Sequence, residues 1–309
     1  MRVALIGGTG FVGSYIVDAL LDAGHEPVLL VRPGSEHRIR DAGRCRTVAG
    51  DLGDDAAIAR LLENADAAIY LVGILREDPA AGVTFEAMQF EGARRCIDIA
   101  VRQDVRKFLL MSANGVRADG TPYQSTKYRA EQYLNNSGLD GTVFRPSVIC
   151  GDPRGGMEFL TQLRDQMVLP PLPAVSFFRG LSPSAGAARL SPVHVADVAL
   201  AFVAALDNDT AGFGPHLLGG PEVWTWPDTI QHIARVCGRN KWVVPVPSIM
   251  VYMAALLLDR FAWFPVTRDQ LTMLMAGNTV DAPAGFETFG IAPRRLTDDR
   301  LAYLRDQDA

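Results

Sequence analysis

Tyr123 and Lys127 stand four residues apart in the stretch TPYQSTKYRAE. On a helix that spacing puts both on one face, one turn apart. A tyrosine beside an ammonium is a proton-transfer pair. The cation favours the phenolate, and the phenol can give or take a proton at a substrate oxygen. Lysine is scarce in this chain of 309 residues. Only Lys107, Lys127 and Lys241 are present, against seven Tyr. Chance placement produces a Tyr-x-x-x-Lys about 0.07 times in such a chain. A plainer reading fits the same residues: Pro122 suits a first helical turn, and Lys127 can pair with Glu131 one turn on, for a few tenths of a kcal/mol. Ser112, at the end of an apolar run, is the third candidate, with a hydroxyl able to hydrogen-bond the same oxygen.

Residues so placed need a sheet whose strand ends they share. RVALIG is a short apolar run bounded by glycines, as expected of a buried parallel strand. SYIVDALLDAG follows with helical spacing and Gly24 in the C-terminal cap position. PVLLV, RTVAGDL, AAIYLVGIL, KFLLMSA and GTVFRPSVI continue as strands, with helices DDAAIARLLENA, FEAMQFEGARRCIDIAVRQ and the Lys127 helix between them. The alternation over about 150 residues predicts an α/β fold with a doubly wound parallel sheet of Rossmann type. Residues 1–150 are expected to form this dinucleotide-binding domain, with 190–220 returning to it. Residues 151–189 and 221–309 form a smaller, mainly helical C-terminal lobe. Within the lobe GGMEFLTQLRDQM reads as a helix and LPPLPAVSFFRGLSPSAGAARLSP as a long loop. VHVADVALAFVAALDN is a helix, HLLGG one more sheet strand, and TWPDTIQHIARVCG a helix capped by Thr225 with Asp228. Two apolar helices and a last helix LTDDRLAYLRD complete the chain.

Gly7, Gly10 and Gly13 form Gly-x-x-Gly-x-x-Gly in GGTGFVG, between the first strand and first helix. A tight turn there needs positive backbone angles, a pyrophosphate needs close approach to the backbone, and the helix N-terminus offers unpaired N–H groups. Thr9, Phe11 and Val12 belong to the same candidate nucleotide loop. An NAD site usually carries Asp or Glu at the end of the second strand. Here that strand runs into Arg32, and no carboxylate precedes Glu36. An arginine there can meet a 2′-phosphate, so NADP(H) is favoured over NAD(H). The other reading of Arg32 is a solvated loop residue. Asp51 and Leu52 end the third strand beside the expected adenine. Leu71, Val72 and Gly73 end the fourth and are positioned to line the adenosine ribose.

Composition narrows the function classes. The chain is 48% hydrophobic with net charge −5 and no basic block, so a nucleic-acid partner has no support. Cys45, Cys96, Cys150 and Cys237 stand far apart, so neither a metal site nor a disulfide framework is expected. A strand begins directly after Met1 and Arg2 with no signal sequence, which suggests the cytoplasm.

GGTGFVG, Ser112 and YQSTK together resemble the short-chain dehydrogenase/reductase superfamily, in its extended or atypical branch. FEGARRCIDIA, KFLLMSANG, VFRPSVICG, LSPVHVADVALAFVAAL, LLGGPEVWTWPDTIQHIA and TRDQLTMLMAGNTV resemble the subfamily of the dehydrogenase-like accessory subunit of respiratory complex I and its bacterial relatives. The likeness covers nearly the whole chain. It implies Ser112, Tyr123 and Lys127 as catalytic residues. It implies Lys127 and Pro146 as cofactor contacts beside the glycine loop. Members commonly bind NADPH, the complex I subunit as a structural ligand, and bacterial members are often classed as epimerases or dehydratases. This sequence departs from the sugar-modifying members at Gln89, where Asn is usual. It also departs in the apolar run SIMVYMAALLLDRFAWF, which argues against a nucleotide-sugar substrate.

That run, Ser248–Phe264, is too short and too closely flanked by Pro247 and Pro265 for a comfortable membrane span. It reads as a buried helix of the second lobe, as the wall of a pocket for an apolar substrate, or as a surface for a membrane or partner with Trp242, Tyr252 and Trp263 near its edges. Two functions therefore compete. One is an NADP(H)-dependent oxidoreductase or epimerase acting on a small apolar substrate. The other is a nucleotide-holding scaffold or assembly protein on a membrane complex, peripheral to the inner membrane. The substrate and the oligomeric state are not readable from the chain.

Overall fold

The computed structural model describes residues 1–41, 43–178, 188–209, 211–258 and 267–305. Two compact units divide the chain. One comprises Met1–Pro146, Val195–Leu218 and Pro283–Ala292; the other comprises Ser147–His194, Gly219–Ala282 and Pro293–Ala309.

The first unit is built in βα steps. In order they are β1 (Arg2–Ile6), α1 (Phe11–Asp22), β2 (Glu26–Val31), β3 (Arg46–Ala49), α2 (Asp55–Leu62), β4 (Ala67–Tyr70), α3 (Gly92–Arg102), β5 (Lys107–Met111), α4 (Pro122–Asn135) and β6 (Asp140–Pro146). The chain leaves the unit through β7 (Ile149–Cys150), α5 (Phe159–Leu163), β8 (Ala174–Phe178), β9 (Arg189–Leu190) and β10 (Val193–His194). It returns with α6 (Val195–Leu206) and β11 (His216–Leu218). Seven strands lie in the order β11-β6-β5-β4-β1-β2-β3, all parallel. The inner strands are apolar on both faces because helices cover both, as a parallel sheet requires, while the edge strand β3 is mostly exposed. Val3, Ala4, Leu5, Ile69, Phe108, Leu109 and Val143 are fully buried.

The expected sheet and helices are present, including HLLGG as the edge strand β11. The helix after β4 opens with a π-helical stretch, Glu86–Glu91, before α3. Such stretches widen a helix by one residue per turn and often sit at functional sites.

The second unit continues with β12 (Trp224–Thr225), α7 (Trp226–Val236), β13 (Val243–Pro247), α8 (Ser248–Leu258), α9 (Arg268–Ala276) and α10 (Ala282–Glu287), the last crossing into the piece that rejoins the first unit. Its core gathers Cys150, Leu160, Leu163, Trp226, Ile230, Ile233, Leu301 and Leu304. Thr225 and Asp228 form the expected reciprocal cap of α7.

Three expectations for this unit are corrected. The stretch read as a long loop contains β8, which pairs in parallel with β13. Its prolines and serines masked the strand; prolines are tolerated because this two-stranded pair is all edge. Residues 179–187 of that stretch lie outside the described residues. The last helix is absent: Leu301 follows a turn and only Ala302–Leu304 coil, as a short 3₁₀ segment. A fully buried apolar helix at Ser248 is also not found. Ile249 is 63% exposed, Met250 62% and Met253 51%, while Val251 packs against the core. The remainder of the apolar run, 259–264, lies outside the described residues. No helix among the described residues is long and apolar enough to cross a membrane.

Candidate functional site

The glycine loop closes on itself before α1 begins. Gly7 has φ +95°, a conformation side chains rarely adopt, and its carbonyl accepts from the Gly10 N–H at 3.1 Å. Gly13 lies one turn into α1, where a Cβ would stand 2.3 Å from the Gly7 carbonyl oxygen. Gly10 is the N-cap of α1 and gives no side-chain cap to the helix. The first-turn N–H groups therefore face outward over a backbone with no side chain at Gly10, where an anion can approach. At Gly10 itself a Cβ would meet only the Gly7 oxygen, at 3.3 Å. Gly13 is thus needed for the loop's own packing, and Gly10 leaves the approach open. Thr9 and Phe11 are half-buried, and Val12 is buried on the inner face of α1.

Gly7 abuts the end of β4. A Cβ there would stand 3.2 Å from Leu71 Cβ and 3.4 Å from Val72 Cγ2. Leu71 continues the ladder, donating its N–H to the Ile6 carbonyl at 2.9 Å. Gly73 comes next, where a Cβ would lie 3.3 Å from Lys127 Nζ. The structure therefore brings Gly7, Leu71, Val72, Gly73 and Lys127 into one line of close approaches at the carboxyl ends of β1 and β4.

Lys127 is carried by α4, whose start is fixed by Thr121 and Gln124 capping each other and by Pro122 at the first position. The side chain is buried and its Nζ donates to the Met111 carbonyl at 3.1 Å. Burial lowers its pKa to about 8, with the Glu131 carboxylate pulling the other way. The helical Lys127–Glu131 pair of the plainer reading does not form. Glu131 is instead gripped by Arg145 through both carboxylate oxygens, at 2.9 and 2.5 Å.

Tyr123 is half-buried, with its ring edge-on to Phe85 at 5.7 Å between centroids. Lys127 Nζ lies 5.8 Å from the centre of the Tyr123 ring. Burial pushes the phenol up to about 12. The Lys127 ammonium lies on the ring side of Tyr123, and burial holds the phenol in its neutral form at pH 7. Ser112 follows Met111 directly. It is buried, and its Oγ has no hydrogen-bond partner among the described residues. A buried hydroxyl left unpaired is costly, so this atom fits a ligand oxygen.

Gln89 explains how α4 is held. From within the π-helical stretch its amide donates to the Ile74 carbonyl at 3.0 Å and accepts from Thr126 Oγ1 at 2.9 Å. It ties the segment after β4 to the helix of Tyr123 and Lys127, with both amide atoms occupied inside the protein.

The remaining candidates lie at the ends of other strands, Pro146 nearest on β6 beside β5. Arg32 is exposed just past β2, three strand spacings from β5, about 14 Å across the sheet. Asp51 is exposed, and its carboxylate accepts from the Gly53 N–H at 2.7 Å. Leu52 is turned inward and packs on the core. Pro146 ends β6, its carbonyl accepting from Asn114 at 2.9 Å. Arg145 and the Met111 carbonyl were not singled out in the sequence. Backbone acceptors carry no residue-type signal, and Arg145 becomes informative only beside Glu131.

Comparison with known proteins accords with this geometry. Residues 7–168 match the model of a family described as NAD(P)H-binding. The 40 kDa subunit of NADH-ubiquinone oxidoreductase from Neurospora crassa mitochondria is 25% identical, covering 97% of this chain and 78% of that one. Ceramide reductase from Caulobacter vibrioides is 27% identical over 86% of this chain and 79% of its own. Among solved structures, UDP-glucose 4-epimerase from Bifidobacterium longum, in complex with NAD+ and UDP, superposes with a TM-score of 0.77. It is 17% identical and covers 98% of this chain and 97% of that one.

Proposed function

The chain belongs to the NAD(P)H-binding family, within the atypical short-chain dehydrogenase/reductases, and from that premise we propose that it is an NADP(H)-dependent oxidoreductase acting on a small apolar substrate. The observation that carries this reading is the state of Lys127: a buried ammonium with three donors and one acceptor, Met111, among the described residues. Its free donors suit ribose hydroxyls. Gly7, Gly10 and Gly13 would hold the pyrophosphate over the N-terminus of α1. Arg32 would take a 2′-phosphate, and Asp51 the adenosine edge.

A bound nicotinamide supplies or accepts hydride; the protein's part is to hold and protonate. The unpaired Ser112 hydroxyl donates to the substrate oxygen. Tyr123, neutral at pH 7, gives that oxygen a proton as general acid, which suits reduction of a carbonyl. Lys127 above the ring lowers the cost of the phenolate that results. The apolar side chains near the start of α8 and the name of the ceramide-reducing relative support an apolar substrate. Phe178, Pro247, Ile249, Tyr252, Leu271 and Met275 line a cavity of about 540 Å³ in the second unit.

A second reading is a scaffold that keeps the nucleotide as a structural ligand. The respiratory-complex relative supports it, as does the exposed apolar start of α8. Titration with NADPH and NADH, in wild type and Arg32→Ala, tests the cofactor assignment. The substitution should weaken NADPH by about 10- to 150-fold, equivalent to about 1.5–3 kcal/mol, and leave NADH unchanged. Equal affinities, indifferent to Arg32, would reject NADP(H) preference. Nucleotide that survives gel filtration without exchanging would favour the scaffold.

A further inference from the structure

A glutamate four residues after a lysine on a helix is placed to pair with it. On α4 that contact is pre-empted. Arg145, on β6, takes Glu131 in a two-pronged grip, Nε to Oε1 at 2.9 Å and Nη2 to Oε2 at 2.5 Å. The Glu131 side chain is 2% exposed and that of Arg145 17%. A planar fork matched to a carboxylate is the strongest of such pairs and fixes both partners in space. Lys127, released from its helical neighbour, extends to the Met111 carbonyl and borders Gly73. The charged and titratable groups around it are Tyr123 and Glu131 on α4, with Arg145 behind Glu131. β5 offers the Met111 carbonyl, and the segment after β4 borders the ammonium at Gly73.

We propose that Glu131 and Arg145 are a positioning pair for Lys127. Arg145 occupies the carboxylate that would otherwise draw the ammonium along the helix, and the retained negative charge of Glu131 keeps that ammonium protonated within a buried site. The proposal rests on Lys127 serving the nucleotide. It predicts opposite consequences for the two halves of one ion pair. Without Glu131, Lys127 loses a nearby negative charge and releases its proton more readily. Without Arg145, Glu131 is free to take Lys127 directly, so the lysine holds its proton more tightly but no longer points at the ligand.

Having only three lysines makes the test direct. Protein labelled with ¹³C at lysine Cε gives three signals, and Lys127→Met assigns the one that matters. In Glu131→Gln the Lys127 titration midpoint should fall below the wild-type value, and in Arg145→Met it should rise. NADPH binding should weaken in both by about 10-fold at pH 8. The loss in Glu131→Gln should recover toward pH 6, while that in Arg145→Met should persist. Glu131→Asp should restore most of the affinity. Thermal melts accompany each variant. If a single substitution does not fold, Glu131→Gln/Arg145→Met removes the pair together, and its midpoint should lie below wild type. Midpoints that move the same way in both single variants, or a double variant left unchanged, would overturn the proposal. Opposed midpoints in a protein that binds neither nucleotide would keep the pair and reject the nucleotide reading instead.

Discussion

Strand β5 is bracketed by two buried lysines whose surroundings differ. Lys107, its first residue, is 2% exposed and has four acceptors. These are the carbonyls of Ala205 at 3.0 Å and Asn208 at 3.4 Å, with the carboxylates of Asp209 at 3.2 Å and Asp140 at 3.4 Å. Lys127 holds the carbonyl of the last residue, Met111, and has that one acceptor among the described residues. At one end of the strand the cation is saturated and joins β5, β6 and the end of α6. At the other it keeps donors in reserve beside an unpaired Ser112 hydroxyl. Lys241, in the second unit, belongs with Lys107: it donates to the carbonyls of Val168 and Pro170. Burial does not tell these three lysines apart. The balance of donors against acceptors does.

The sharpest way to break this contrast is Tyr123→Phe. If the carboxyl end of the sheet is a reaction site, turnover of an apolar carbonyl substrate found by screening should fall by about 10²–10⁴-fold. NADPH affinity should stay within about 2-fold of wild type, because the phenol acts on substrate rather than on the nucleotide. Unchanged turnover would remove Tyr123 from the reaction and leave Lys127 to be judged by its own substitution.

Lys127→Met comes next. Nucleotide affinity should drop by about 10- to 150-fold, the value of a hydrogen-bonding cation, about 1.5–3 kcal/mol. Lys107→Met should do the reverse. It strands two carbonyls without their donor and should cost about 1–3 kcal/mol of stability, read as a lower melting temperature, with nucleotide affinity unchanged. A nucleotide defect in Lys107→Met, or a large stability loss in Lys127→Met, would erase the distinction.

The smallest expected effect depends on pH. Lys127 titrates near 8 in the folded chain, below its ordinary 10.5. The unfolded chain therefore binds this proton more tightly. Below about pH 8 the buried ammonium is a standing cost, at most on the order of 3 kcal/mol. That cost is relieved as pH rises from about 8 towards 10.5. Lys127→Met should thus melt slightly above wild type at pH 7, by about 1 kcal/mol or less once the lost Met111 bond is subtracted. The gap should close as pH rises through about 8 and reverse by about pH 10, where wild type keeps the Met111 bond without the cost of a buried charge. A gap that widens with pH would mean the lysine is stabilised by burial rather than penalised. Nucleotide affinity of the wild type should likewise decline as pH rises through about 8.

The sequence by itself determined the βα alternation, the glycine loop ahead of α1, and the presence of Tyr123 and Lys127 one turn apart after β5. Each is a local property. Apolar periodicity reports which face of an element is buried, and a glycine triplet reports where a side chain would not fit. Only the tertiary structure decided which lysine was free. Three of the four acceptors of Lys107 come from 98 to 102 residues away, and the fourth, Asp140, from the neighbouring strand β6. Glu131, read locally as the partner of Lys127, went to Arg145, 14 residues on and in another element. The return of Pro283–Ala292 to the first unit had no signal in its own composition. The start of α8 looked like core by composition and stands partly in solvent. Hydropathy gives a segment's preference for burial, whereas the partners that satisfy a charge or cover an apolar face are chosen by chain segments distant in sequence.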